Sequence, residues 1–127
     1  MTESQDNMPI KFYIPVAEVF YSFPIHFLRI ASLTPYDKSL SRILNALKEN
    51  QVTTLEMAID TTVNHLRSSR NIGEKGILVL INLLENISQK PELVIHTDHL
   101  DPVLRNELEQ FKQIPSIKKQ LIEMGIV

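Results

Sequence analysis

The sequence predicts an all-α fold, a compact multi-helix domain, and three observations carry that expectation. Apolar residues recur at helical spacing through the middle of the chain. Only 3 glycines interrupt 127 residues, and 43% of the residues are hydrophobic although only 6% are aromatic and none is Trp. A core of that composition is mostly Leu, Ile and Val, and a chain of this length fits one domain, with or without appendages.

Residues 1–8 are polar and acidic and read as a disordered leader. Residues 9–31 hold six of the eight aromatics, with Pro9, Pro15 and Pro24 between them. Prolines at that density forbid a long helix, so short extended pieces or single helical turns are predicted, wrapped on the domain as an aromatic, proline-rich arm. Such an arm either packs on its own core or offers a patch for a partner, and homo-oligomerisation through residues 9–31 follows from the second option.

Residues 32–87 are the best-organised part. Leu40, Ile43, Leu44 and Leu47 follow the i, i+3, i+4, i+7 spacing of a buried helix face, which sets Arg42, Asn45 and Glu49 on the opposite face. Thr53 with Glu56 three residues on predicts a capped helix start. Val63 and Leu66 mark another short helix, residues 68–76 a polar turn, and residues 77–87 a central helix apolar almost all round. Residues 88–127 read as a linker and a C-terminal helical pair. Asp101-Pro102 opens the first helix of that pair and Pro115 breaks it; Ser116 caps the second, which stops at Gly125.

Composition excludes several function classes. Without cysteine there is no thiolate metal site, thiol nucleophile or disulfide, which fits a reducing interior. The net charge of −2 is evenly spread: Lys/Arg against Asp/Glu is 2 to 3 in residues 1–31, 6 to 6 in residues 32–87 and 5 to 6 in residues 88–127. With no basic block, any nucleic-acid contact must come from a few placed cations and be weak. The start lacks a signal-peptide pattern. The longest apolar stretch, residues 77–84, is far short of the ~20 residues that span a bilayer. A soluble, cytoplasmic protein without membrane contact is expected.

No Ser-His-Asp order, phosphate-binding P-loop or dinucleotide loop occurs, and the carboxylates form no inward pair. The run from His96 to His99 reads as polar linker rather than metal site. Catalysis, a cofactor and a bound metal are not expected. The chemistry lies instead in Asn71-Ile72-Gly73-Glu74-Lys75-Gly76, set directly before an apolar helix. A small-residue loop that opens a helix leaves free N–H groups at its positive end, where a phosphate is held.

Taken together, Ser41-Arg42-Ile43-Leu44-Asn45-Ala46-Leu47-Lys48, Val52-Thr53-Thr54-Leu55, His65-Leu66 and Asn71-Ile72-Gly73-Glu74-Lys75-Gly76-Ile77 resemble the C-terminal domain of the bacterial RNA polymerase alpha subunit. The resemblance covers residues 32–87. It implies an all-helical domain ending in a helix-hairpin-helix-like element, which binds the minor groove of AT-rich DNA and touches transcription regulators. Arg42 matches the arginine that enters the groove, Asn45 the asparagine one turn later, and Asn71, Ile72 and Gly73 the loop, followed by Lys75. An inserted guanidinium suits the concentrated negative potential of a narrow A-tract groove. The sequence departs from that pattern at Glu74, Gly76 and Val79, and around Tyr36 and Lys38. Expected DNA-binding residues are therefore Arg42, Asn45, Gly73, Lys75 and Gly76, with RNA polymerase or a regulator as further partners. The rival expectation is a protein-interaction module that keeps the fold without binding DNA.

Overall fold

At the centre of the molecule two helices pack face to face, α2 (Lys38–Glu49) and α5 (Glu74–Gln89). The stripe predicted for α2 is the face that meets α5: Leu40, Ile43, Leu44 and Leu47 are all buried. From α5 come Ile77, Leu80, Leu83, Leu84 and Ile87. Gly76 decides how close the two helices lie. A Cβ there would sit 3.1 Å from Ile43 Cδ1, so the first turn of α5 rests directly on α2.

The computed structural model describes residues 3–127. The remaining α-helices are α1 (Glu3–Asp6), α3 (Leu55–Asp60), α4 (Val63–Arg67), α6 (Pro102–Phe111) and α7 (Pro115–Glu123), with 3-10 helices at Ile10–Phe12, Glu18–Phe20, Ile25–Ala31 and Pro91–Ile95. Among the described residues there are no strands, only isolated bridges from Pro9 to Thr62 and from Pro24 to Thr54. The fold is all-α. No helix among these residues is long and apolar enough to cross a membrane.

The aromatic segment is built into this core. Phe20, Phe23 and Phe27 are buried, and Phe23 and Phe27 meet Phe111 of α6 edge-on at 5.0 and 5.5 Å between ring centroids. Such edge-to-face pairs add to the area they bury. The backbone of the segment also completes α3. Leu55 N–H donates to the Phe23 carbonyl and Glu56 N–H to that of Tyr21, both at 3.0 Å, so the helix's first amides are satisfied. Ile25 N–H returns a bond of 2.8 Å to Thr53. Apolar side chains that sequence alone left available for self-association are thus used within the chain; Phe12, 64% exposed, is the exception.

Local chemistry explains where helices begin and end. Asp37 accepts from Ser39 N–H at 3.0 Å and starts α2, a cap the apolar stripe alone did not reveal. At the other end Gln51 takes φ 66, and Val52 N–H reaches back to the Leu47 carbonyl at 2.8 Å. Gly125, φ 75, stops α7 the same way, with Ile126 N–H on Leu121.

Several expectations are corrected. The cap of α3 is Thr54, not Thr53, because it is the Thr54 hydroxyl that accepts from Met57 N–H. Helix α6 ends at Phe111, before Pro115 as expected, but Pro115 is itself the first residue of α7, since a proline at the first helical position lacks only an N–H that would have no partner there; Ser116 is consequently not the cap. Helix α5 is amphipathic, with Leu78 and Asn82 exposed. Of the leader expected over residues 1–8, residues 1 and 2 lie outside the described residues. Glu3–Asp6 form α1, and the Asp6 carboxylate is 3.1 Å from Arg67 Nη1.

Replacing Phe23 with Ala removes the ring shared by Phe20, Phe27 and Phe111 and is expected to cost about 3–5 kcal/mol in urea unfolding. By contrast, Gln51→Gly relieves a left-handed backbone and is expected to raise stability by about 0.5–1 kcal/mol in the same measurement.

Candidate nucleic-acid interface

Two elements build the candidate site. On its exposed face α2 carries Lys38, Arg42, Asn45 and Glu49, three or four residues apart and so in one row. Opposite stand the loop of residues 68–73 and the first turn of α5. Asn50 joins the two sides: its Nδ2 donates to the carbonyls of Ala46 and Arg70, each at 2.8 Å. Buried Ile72 anchors the loop, and Asn71 Nδ2 donates to Glu49 Oε2 at 3.3 Å.

Between these elements lie two adjoining depressions. The larger, of about 580 Å³, is an open groove lined by Tyr36, Lys38, Ser41, Arg42, Asn45 and Glu49 together with Asn71. The smaller, of about 160 Å³, is lined by Ser39, Arg42, Asn71, Gly73, Lys75 and Gly76 over Ile43. Arg42 and Asn71 border both. All five sequence-predicted residues therefore meet on one surface: Arg42 and Asn45 in the groove, and Arg42, Gly73, Lys75 and Gly76 in the smaller depression.

Individual roles differ from those expected. Gly73 does not supply a special turn. It is extended (φ −102, ψ 178), and a Cβ there would meet nothing within 4 Å. The positive φ of the loop belongs to Asn71, at 63°, a residue type whose short polar side chain tolerates that conformation. Gly76 acts through packing against Ile43. No side chain caps α5, whose backbone ladder begins with Ile77 N–H on the Gly73 carbonyl at 3.1 Å, so the amides of residues 74–76 have no intrahelical acceptor.

Charge is arranged unevenly. Among the described residues Lys38, Arg42 and Lys75 have no ion-pair partner. Glu74, which sequence places beside the phosphate position, is instead ion-paired with Arg67 and lines neither depression. Arg67 also donates to the Asp6 carboxylate at 3.1 Å and to the Asn64 amide oxygen at 2.8 Å, and the two carboxylates, Glu74 first, raise its pKa further. It ties α1, α4 and α5 together. Glu49 is the one carboxylate in the groove.

Residues that sequence reading did not assign to the site are Tyr36, Lys38, Ser41 and Asn50. Lys38 was legible as the residue one turn before Arg42. Tyr36 was not, because its position depends on contacts distant in sequence. The Arg29 guanidinium lies 5.0 Å from its ring centroid and also donates to the Pro35 carbonyl and, at 3.1 Å, to Ser41 Oγ. Tyr36 Oη accepts from Asp101 N–H at 2.9 Å, which fastens the groove wall to the start of α6. Burial raises the Tyr36 pKa above its ordinary 10.0. No protein-family model, no curated protein and no solved structure matches the chain.

Asp101 couples this corner to pH. The Leu104 amide, 2.8 Å from its Oδ1, and then the Tyr36 phenol hold its pKa below the ordinary 3.8. A lowered folded-state pKa means that the added stability is complete above about pH 4 and lost as pH falls through the folded value. The stability difference between the wild type and Asp101→Asn should therefore shrink from pH 6 to pH 2.5 in urea titrations; a difference that does not change with pH would contradict this.

Proposed function

We propose that this is a non-enzymatic DNA-binding protein acting in transcription or its regulation, contacting the minor groove and backbone of AT-rich duplex DNA. The observation that carries the reading is that Arg42 of α2 borders the same 160 Å³ depression as Gly73, Lys75 and Gly76 at the uncapped start of α5. Among the described residues Arg42 has no carboxylate partner, so its guanidinium is available to enter a groove of high negative potential. Asn45, on the same face, bonds sugar or phosphate. The amides of residues 74–76 and Lys75 receive a phosphate of the flanking strand, where the helix dipole favours an anion.

The resemblance of residues 32–87 to the polymerase alpha C-terminal domain points the same way. The run from α4 through the loop to α5 is the helix-hairpin-helix-like element in this reading. Glu74, the departure most adverse to a phosphate, has its carboxylate drawn off by Arg67. Three cations on a protein of net charge −2 give weak, salt-sensitive binding, so a partner such as RNA polymerase, a regulator or a second copy supplies the remaining affinity. The cytoplasm is the compartment consistent with this role.

One observation favours a second reading, a protein-interaction module. Leu33 is 98% exposed and borders a depression with Val79, Asn82 and Asn86. An exposed leucine at the rim of a mixed polar and apolar hollow suits a protein partner better than a nucleic acid.

Fluorescence anisotropy with a labelled AT-rich duplex at low salt separates the two. The wild type should bind, a GC-rich duplex should bind several-fold more weakly, and Arg42→Ala should weaken AT-rich binding by roughly 5- to 100-fold. Lys75→Ala should lower the slope of log K against log salt by about one. No binding by the folded wild type, or binding indifferent to Arg42, would transfer the assignment to the interaction module.

A further inference from the structure

We propose that the larger groove, beside the duplex-binding lip, is a stacking site for one unpaired nucleobase, with Tyr36 as its platform, Lys38 as its phosphate contact and Arg42 at its border with the duplex. The inference rests on the nucleic-acid reading above and adds a substrate preference: DNA in which a base is out of the helix, at a bulge, a junction or a melted segment.

Tyr36 is 44% exposed and lines the groove, whereas Phe20, Phe23 and Phe27 are in the core. Yet it is fixed at two points. Arg29 lies 5.0 Å from the ring centroid and is itself held by Pro35 and Ser41, and the phenol oxygen accepts from Asp101 N–H at 2.9 Å. An exposed aromatic normally loses side-chain freedom when it stacks; this one has already lost it, so a stacking base gains contact area at low entropic cost. Every base has a π-face, and flat aromatic rings beside cationic tracks are how proteins hold unpaired strands.

The cations are disposed accordingly. Lys38 follows Tyr36 by two residues and Arg42 by six, so the two cations stand one helical turn apart along the groove. Neither has an ion-pair partner among the described residues. Asp37, between Tyr36 and Lys38, has its carboxylate engaged by Ser39 N–H at 3.0 Å. Glu49 stands at the opposite end of the row, where its charge repels phosphate and confines the strand to the half nearer Tyr36. At about 580 Å³ the groove falls within the ~300–1,000 Å³ of small-molecule sites, ample for one nucleotide.

The test uses the full chain and three labelled probes: an AT-rich duplex, the same duplex with a single-thymine bulge, and an oligothymidine. Wild type should bind the bulged duplex about 5- to 50-fold more tightly than the perfect one. Tyr36→Ala should bring that ratio near one, and Tyr36→Phe, which keeps the ring, should retain most of it. Since Tyr36→Ala also removes a contact to α6, a second readout uses the wild type alone: the assigned Tyr36 ring protons should move upfield on adding oligothymidine, and not on adding polyglutamate, which tests bare charge attraction. Duplex binding that depends on Arg42 but shows no preference for the bulge and no ring shift would overturn this proposal and leave the duplex reading standing. Binding to oligothymidine with the ring shift, but none to the perfect duplex, would do the reverse. No binding to any of the three probes would remove both.

Discussion

The close approach of α2 and α5 at Gly76 is the contact on which the rest of the structure depends. With no Cβ at that position, Ile43 seats against the first turn of α5, and the exposed row of α2 comes to lie beside the loop of residues 68–73. A Cβ at that position would force the Ile43 side chain to give by a few tenths of an ångström, so the two helices meet there as closely as their side chains allow.

Around that contact the chain adds supports that are also parts of the site. The aromatic segment of residues 9–31 caps α3 with its backbone carbonyls and joins α6 through Phe111, so residues on both sides of the central helices share their core. Asn50 fastens the loop to the end of α2, and Arg67 fastens α4 to the start of α5 while neutralising Glu74. The Arg29–Tyr36–Asp101 chain fastens the other wall of the groove to α6. Cations with structural tasks, such as Arg29, Arg67 and the buried Lys112 held at 3.0 Å by the Val94 carbonyl, are separate from those left facing solvent beside the loop. It is this division of labour, rather than net charge, that gives an acidic protein a cationic lip.

Much of this was legible in the sequence, because helical periodicity and capping chemistry act locally. The stripe of α2, the Asp101-Pro102 start of α6 and the Gly125 stop of α7 needed only neighbours within a turn or two. The five candidate site residues could be named from their spacing and from one family resemblance. Errors arose where a local rule had two solutions, as with Thr53 against Thr54 as the cap of α3, or Ser116 as the cap of a helix that starts one residue earlier. A glycine before a helix suggests a special turn, but the left-handed residue is Asn71, two positions before Gly73. What could not be read were contacts across long separations: Gly76 on Ile43, Phe111 among the arm's rings, and Tyr36 held by Arg29 and Asp101. No period or cap encodes those.

The central claim is that the surface between α2 and the start of α5 is where nucleic acid binds. Amide chemical-shift mapping on the full chain with an AT-rich duplex at low salt tests it most directly. The account predicts that the largest perturbations cluster at Lys38, Arg42, Asn45 and residues 71–76, and fade together as salt is raised. Perturbations centred instead on Leu33, Val79 and Asn82, or none at saturating duplex, would contradict it.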